Sequence, residues 1–242
     1  MPVSLKNQVV LVVGASSGIG RSIAVHFARE GATVMASARR EDRLLSLQSE
    51  LAEENLEIAI ATADASNADA MEELAFRTVA QFQKIDILVY ASGTNTVDRA
   101  MSKLSVKTWD EVIGVNLNGA YYATRAVLPG MRERKCGHLI YIASISGIVP
   151  DISGAAYQAS KRGMLGLSHA IRVEEKENGI RTCVVCPGLV DTEILEKRPV
   201  KPTPEMLSKA LQADDVAEAV LFAAKLPARA AVPEMQLMPA SL

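Results

Sequence analysis

Val10 to Gly20 reads VLVVGASSGIG, four branched apolar residues running directly into a mostly small stretch that holds the glycines Gly14, Gly18 and Gly20. Apolar side chains at consecutive positions suit a strand covered on both faces. Glycines at its end let the chain turn sharply into a helix. The first N–H groups of such a helix have no partner in the helix, and a phosphate reaches them only where no Cβ intervenes. The corner therefore reads as a pyrophosphate cradle. Its spacing, G-x-x-x-G-x-G, departs from the better-known G-x-G-x-x-G, so support must come from the rest of the chain.

Outward from that corner, short apolar runs alternate with longer helical patterns. Strands are expected at Val9 to Val13, Thr33 to Ala36, Glu57 to Ala61, Ile85 to Ala91, His138 to Ala143, Thr182 to Cys186 and Glu234 to Met238. Ile19, Ile23, Ala24 and Phe27 recur at helical spacing before Gly31, and Leu44, Leu47 and Leu51 do the same. Strand then helix, repeated, predicts right-handed crossovers and an α/β fold with a doubly wound, mostly parallel sheet of seven strands, helices on both faces. With 242 residues and no composition shift or repeat, residues 1–242 read as a single domain. The proline-rich Arg198 to Pro204 reads as a surface loop, within a lid over about 190–213.

A net charge of −2 supplies no bulk field for nucleic acid or an anionic membrane. No apolar run spans a bilayer and MPVSLKNQ is no signal peptide, so a cytoplasmic protein with small-molecule partners is expected. If Thr182 to Cys186 is a strand, Cys183 and Cys186 point to opposite faces and share neither a metal nor a disulfide. They read as buried small hydrophobes, and no metal site is expected.

Tyr157 and Lys161 stand four apart, and Met164, Leu165, Leu167 and Ile171 after them suggest a helix that turns both one way. An ordinary phenol titrates too high to trade protons at neutral pH, but a nearby cation favours its phenolate. Ser144 ends the strand His138 to Ala143, at the carboxyl edge where parallel sheets bind ligands.

These segments together resemble the short-chain dehydrogenases and reductases, and the resemblance runs from Val9 to about Met238. Gly14 to Gly20 resembles the family's cofactor motif, Tyr157 and Lys161 its Y-x-x-x-K signature, and Ser144 its catalytic serine. Val115-Asn116-Leu117 resembles the segment of its catalytic asparagine, and Pro187-Gly188 with Thr192 its P-G-x-x-x-T stretch. The resemblance implies a Rossmann fold and a hydride transfer in which Tyr157 exchanges a proton with the substrate oxygen. Lys161 would hold the nicotinamide ribose and lower the tyrosine's pKa, Ser144 would bond the reacting oxygen, and Asn116 would help hold a water relay. Cofactor contacts are implied along Gly14, Ser16, Ser17, Gly18, Ile19 and Gly20. Others follow at Asp64 and Ala65, at Ala91, Ser92 and Gly93, at Tyr157 and Lys161, and at Pro187, Gly188, Val190 and Thr192. Homodimers or homotetramers are implied too, with Tyr121, Tyr122, Ala126 and Met164 able to supply the apolar seam. Two departures stand out: Val13 where the family commonly has threonine, and Tyr90-Ala91-Ser92-Gly93 where it commonly has N-N-A-G.

Ser37-Ala38-Arg39-Arg40 bears on the choice of nicotinamide. A free adenosine ribose is normally held by a carboxylate at the end of the second strand, and none stands here. Arg39, aided by Ser37 or Arg40, is instead expected to grip a 2′-phosphate, so the cofactor is expected to be NADP(H). Ile145, Ile148, Val149, Leu189, Ile194 and Leu195 form an expected pocket wall that is apolar throughout, which suits a small, mainly apolar ketone or secondary alcohol. A 3-oxoacyl-carrier-protein reductase and a non-catalytic NADP(H)-binding sensor are the alternatives.

Overall fold

A computed structural model describes residues 3–241. Seven strands form one sheet in the order β3-β2-β1-β4-β5-β6-β7. They are β1 (Val9–Val13), β2 (Thr33–Ala38), β3 (Ala59–Thr62), β4 (Ile87–Tyr90), β5 (Gly137–Ile142), β6 (Ile180–Pro187) and β7 (Glu234–Leu237). Every pairing is parallel, β7 included. Each expected run contains a strand. The third begins at Ala59 rather than Glu57, after Gln48 Nε2 has taken the Ile58 carbonyl at 2.9 Å.

Because β1 is buried at all five positions, its side chains feed two cores. Val10 and Val12 face one with Leu44, Leu47 and Leu51, while Leu11 and Val13 face the other with Met71, Leu139 and Met164. Burying each such leucine contributes about 1.5–3 kcal/mol. Cys183 lies in the first core and Cys186 in the second, and burial pushes both thiols up to about 12.

The layers are completed by α1 (Gly18–Arg29), α2 (Glu41–Glu53), α3 (Ala68–Phe82), α4 (Val106–Ile113), α5 (Gly119–Arg134), α6 (Ala155–Glu174), α7 (Pro204–Ser208) and α8 (Ala213–Ala224). A five-residue π-helical segment, Gly114–Asn118, joins α4 to α5. Between Thr192 and α8 the chain is more ordered than a proline-rich loop: a 3₁₀ turn spans Glu193–Lys197, and Thr203 caps α7 by accepting from Met206 N at 3.2 Å. Met164 is fully buried and belongs to the core, so it supplies no assembly seam, whereas Tyr121 is exposed. No helix among the described residues is long and apolar enough to cross a membrane.

The strand order reverses between β1 and β4. Connections leaving their carboxyl ends diverge there and open a crevice, the place where doubly wound sheets receive ligands. A cleft of about 530 Å³ occupies it.

Candidate active site

One end of the cleft is built from the glycine corner. The Ser37 carbonyl accepts from Gly14 N at 2.7 Å and Ala15 N at 2.9 Å, so β2 fixes the turn after β1. Gly14 has φ +99°, and a Cβ there would stand 2.5 Å from Ser92 N and 2.7 Å from the Ala91 carbonyl carbon. A Cβ on Gly20 would strike the Gly14 carbonyl. Those two glycines are therefore demanded by protein packing, and Gly18 is the one that opens outward, with φ +52° and the Thr192 methyl 3.0 Å from where a Cβ would lie. Ser17 does not cap α1; its hydroxyl accepts from Arg40 Nη2 at 2.7 Å, leaving the first-turn N–H groups without a side-chain partner. This is a cradle for a pyrophosphate.

Beside it, Arg40 also donates to Ser16 Oγ at 3.1 Å, and Arg40 and Arg43 hold Glu193 at 3.0 and 2.6 Å. The Arg40 hydrogen bond, joined by that of Arg43, keeps the Glu193 carboxylate below its ordinary range although burial opposes it. Arg39 lines the cleft, is exposed, and has no hydrogen-bond or ion-pair partner among the described residues. Ser37 is not its helper: the hydroxyl is fully buried without a partner among the described residues and outside the cleft, because alternation along β2 puts it on the buried sheet face of Met35. Asp64 lines the same end and accepts from Ser66 N at 2.9 Å and Ser66 Oγ at 2.8 Å. Burial would raise its pKa, but those bonds and the Arg39 charge leave it lowered. Ala65, Ala91, Ser92 and Gly93 line the floor, and Pro187, Gly188, Val190 and Thr192 the opposite wall.

Towards the other end, α6 carries Tyr157 and Lys161 on one face as its periodicity requires. Lys161 Nζ lies 5.6 Å from the Tyr157 ring centroid and donates to the Ile142 carbonyl at 2.8 Å. Burial lowers its pKa to about 8. Ser144 begins the one-turn 3₁₀ helix Ile145–Gly147, its Oγ accepting from Ser146 N at 3.2 Å. Burial raises the Tyr157 pKa, against a hydrogen bond with Ser144 and the charges of Arg198 and Arg99, while Asp151 adds to the rise. Desolvation thus prevails, and the groups that oppose it are Ser144 and two arginines rather than the expected Lys161.

Asn116 sits in the π-helical segment, fully buried and behind the wall. Its Oδ1 accepts from Thr94 N at 2.7 Å, and its Nδ2 donates to the Thr94 carbonyl at 3.0 Å and Ser160 Oγ at 2.9 Å. Both amide protons are spent stapling the end of β4 to α6. Tyr90 replaces part of the departed N-N-A-G: its hydroxyl donates to the Val115 carbonyl inside the π segment, next to Asn116. π segments inside α-helices recur at functional sites.

The substrate wall departs most from expectation. Ile145, Leu189, Ile194 and Leu195 line it, but Ile148 packs into the core and Val149 faces solvent, because the 3₁₀ turn after Ser144 rotates them away. Nor is the wall apolar throughout: Asn95, Arg99, Ser146, Asp151, Ser153 and Arg198 join it. They come from loops whose residues carry no periodic or motif signal, which is why sequence reasoning missed them.

Residues 8–202 match the family described as short chain dehydrogenase. The chain is 36% identical over 237 residues to the NADP-dependent 3-hydroxy acid dehydrogenase YdfG of Salmonella typhi, covering 96% of this chain and 94% of that one. It is 34% identical to an uncharacterized oxidoreductase of Staphylococcus saprophyticus, covering 98% and 99%. Among solved structures, a closed form of serine dehydrogenase complexed with NADP+ superposes with a TM-score of 0.87 at 35% identity, covering 97% and 96%. A metagenomic short-chain oxidoreductase in complex with NADP superposes at 0.86 with 31% identity, covering 99% and 100%.

Proposed function

The chain belongs to the short-chain dehydrogenase family, and from that premise we propose that Tyr157, Ser144 and Lys161 interconvert a secondary alcohol and its ketone in the cleft. It is an oxidoreductase acting on CH–OH groups, and NADP(H) is its cofactor. The observation that carries the residue assignment is the convergence on one wall of a phenol, a serine hydroxyl beside it and a buried ammonium 5.6 Å from its ring. When bound, the nicotinamide gives or takes the hydride. The Gly18 corner with its open helix N–H groups suits the pyrophosphate, and Arg39, unpartnered beside a β2 that ends without an acid, suits a 2′-phosphate. Arg40 would join it only by relaxing its hold on Glu193.

In the reducing direction Tyr157 Oη gives its proton to the substrate oxygen, and Ser144 Oγ bonds that oxygen as negative charge builds there. In the oxidising direction the Tyr157 phenolate takes the proton back from the alcohol, while Ser144 Oγ keeps its bond to the same oxygen. Arg99 and Arg198 supply positive charge that favours a phenolate, and Lys161, one helical turn from the tyrosine, is placed to hold the nicotinamide ribose beside it. Asn116 acts through others: by tying Thr94 to Ser160 it holds the floor beside Lys161, and it is a positioning residue in this reading. A dimer or tetramer remains part of the reading, supported by exposed Phe76 and Val79 on α3 and Tyr121 on α5.

The mainly apolar ketone suits Leu189, Ile194 and Leu195 on one side of the cleft but leaves the polar side unexplained. Tyr157→Phe keeps the ring and deletes the transferable proton, so turnover should fall about 10²- to 10⁴-fold. NADPH affinity, read by fluorescence titration, should be preserved. Retention of more than about a tenth of wild-type turnover would sink the assignment of Tyr157 as proton donor.

A further inference from the structure

Behind Tyr157, three charged side chains separate the cleft from a second cavity. Arg99, Asp151 and Arg198 line both; the second cavity, of about 420 Å³, is otherwise walled chiefly by Met101, Ile152 and Val200. Arg99 is only 8% exposed and firmly placed. Its Nε donates to the Thr96 carbonyl at 2.9 Å and its Nη2 to the Lys197 carbonyl at 2.5 Å. A Cβ on Gly154, at φ +90°, would lie 2.6 Å from the Arg99 Cβ, so the chain has glycine where the arginine must pass.

Asp151 is equally committed. It accepts from Ser146 Oγ at 2.5 Å, Ser153 N at 2.8 Å and Ser153 Oγ at 3.0 Å, which points it into the serine network. Arg198 differs. It is partly buried and lines the catalytic cleft, and its guanidinium has no hydrogen-bond or ion-pair partner among the described residues. The Arg99 bond to the carbonyl of Lys197, the chain neighbour of Arg198, brings two guanidinium charges together, and burial with the Arg198 charge lowers the Arg99 pKa.

Two arginines against one carboxylate leave one uncompensated positive charge, and Arg99, almost wholly buried, holds its share of that charge out of water. Such a charge is satisfied by an anion, and a guanidinium offers a carboxylate two parallel N–H donors. A monoanion balances the set; a phosphate dianion would leave surplus negative charge beside Asp151. We propose that Arg198, positioned by Arg99, binds the carboxylate of a short 3-hydroxy or 3-oxo acid whose C3 oxygen reacts at Tyr157. The proposal rests on the oxidoreductase reading above. It replaces the mainly apolar substrate by an anionic one and makes Arg198 the residue that selects it.

The test compares 3-oxobutanoate with 3-oxobutanamide, which share shape and reacting ketone but differ in charge, as substrates with NADPH. Wild type should favour the acid by about tenfold or more in kcat/KM, the range of a charge-assisted hydrogen bond. Arg198→Gln should cut that preference at least about threefold, mainly through KM for the acid, while NADPH affinity is kept; Arg198→Lys, a point charge without the fork, should restore part of it. A wild-type preference near one, or a preference in Arg198→Gln within about threefold of wild type, overturns the proposal. If neither compound reacts but neutral ketones are reduced in a Tyr157-dependent way, the anion site fails and the oxidoreductase reading stands. If no ketone or alcohol is turned over at all, both fall.

Discussion

The two ends of the cleft are made differently. At the cofactor end the deciding groups are backbone: the Ser37 carbonyl bonds Gly14 N and Ala15 N, and Gly14 and Gly20 press against each other and against β4. At the substrate end the deciding groups are side chains from separate loops, such as Arg99 reaching the Lys197 carbonyl and Lys197 Nζ reaching Thr94 Oγ1 at 2.5 Å. Backbone recognition tolerates no added atom but reads the same for any ligand with a pyrophosphate. Side-chain recognition is replaceable residue by residue, and that is where substrate choice resides.

The sharpest way to break this contrast is Gly14→Ala. Its φ of +99° costs an alanine about 1–3 kcal/mol in strain alone, before the collision with Ser92 N is counted. A loss of NADPH binding and a clearly lowered Tm are expected. An alanine variant that melts and binds like wild type would show that the corner is not held by backbone contact. The next effect is confined to one side chain. Arg39→Asp should invert the cofactor preference, from at least about tenfold for NADPH in kcat/KM to a preference for NADH, without moving Tm. Equal use of both cofactors by the unmutated protein would remove Arg39 from the site. The smallest effect probes the seam between the two ends. Tyr90→Phe deletes the hydroxyl that bonds the Val115 carbonyl, and one such bond contributes about 1 kcal/mol, equivalent to about 2–4 °C in Tm for a chain of this size. An unchanged Tm would mean that the π segment holds Asn116 without help from β4.

What could be foreseen follows the same division. Val9 to Val13, buried at every position, announced a covered parallel strand, and Leu44, Leu47 and Leu51 announced a helix lying on it, because periodicity is local and burial writes it into the sequence. Tyr157, Lys161 and Ser144 were legible for a related reason: a helical spacing and a strand end place them before any tertiary contact is known. Ser37 was misread because its residue type suggested a phosphate ligand while strand alternation turned it inward. Ile148 and Val149 were misread because a single 3₁₀ turn after Ser144 reverses which residues face the cleft. Arg99 gave no sign and Arg198 read only as the start of a surface loop, since the contact that unites their loops joins residues nearly a hundred positions apart and no spacing rule covers it.

Glu193 occupies both arginines next to Arg39 while sitting in the turn that ends at Lys197, whose carbonyl anchors Arg99. A 2′-phosphate is a stronger anion than a carboxylate, so it competes with Glu193 for Arg40 and Arg43. If the cofactor loosens that turn on loading, the affinity for substrate changes with it, and linkage requires the reverse effect to be equal. Glu193 thus stands on the arginines that a cofactor anion would seek, and one ion-paired turn ties the two ends of the cleft together.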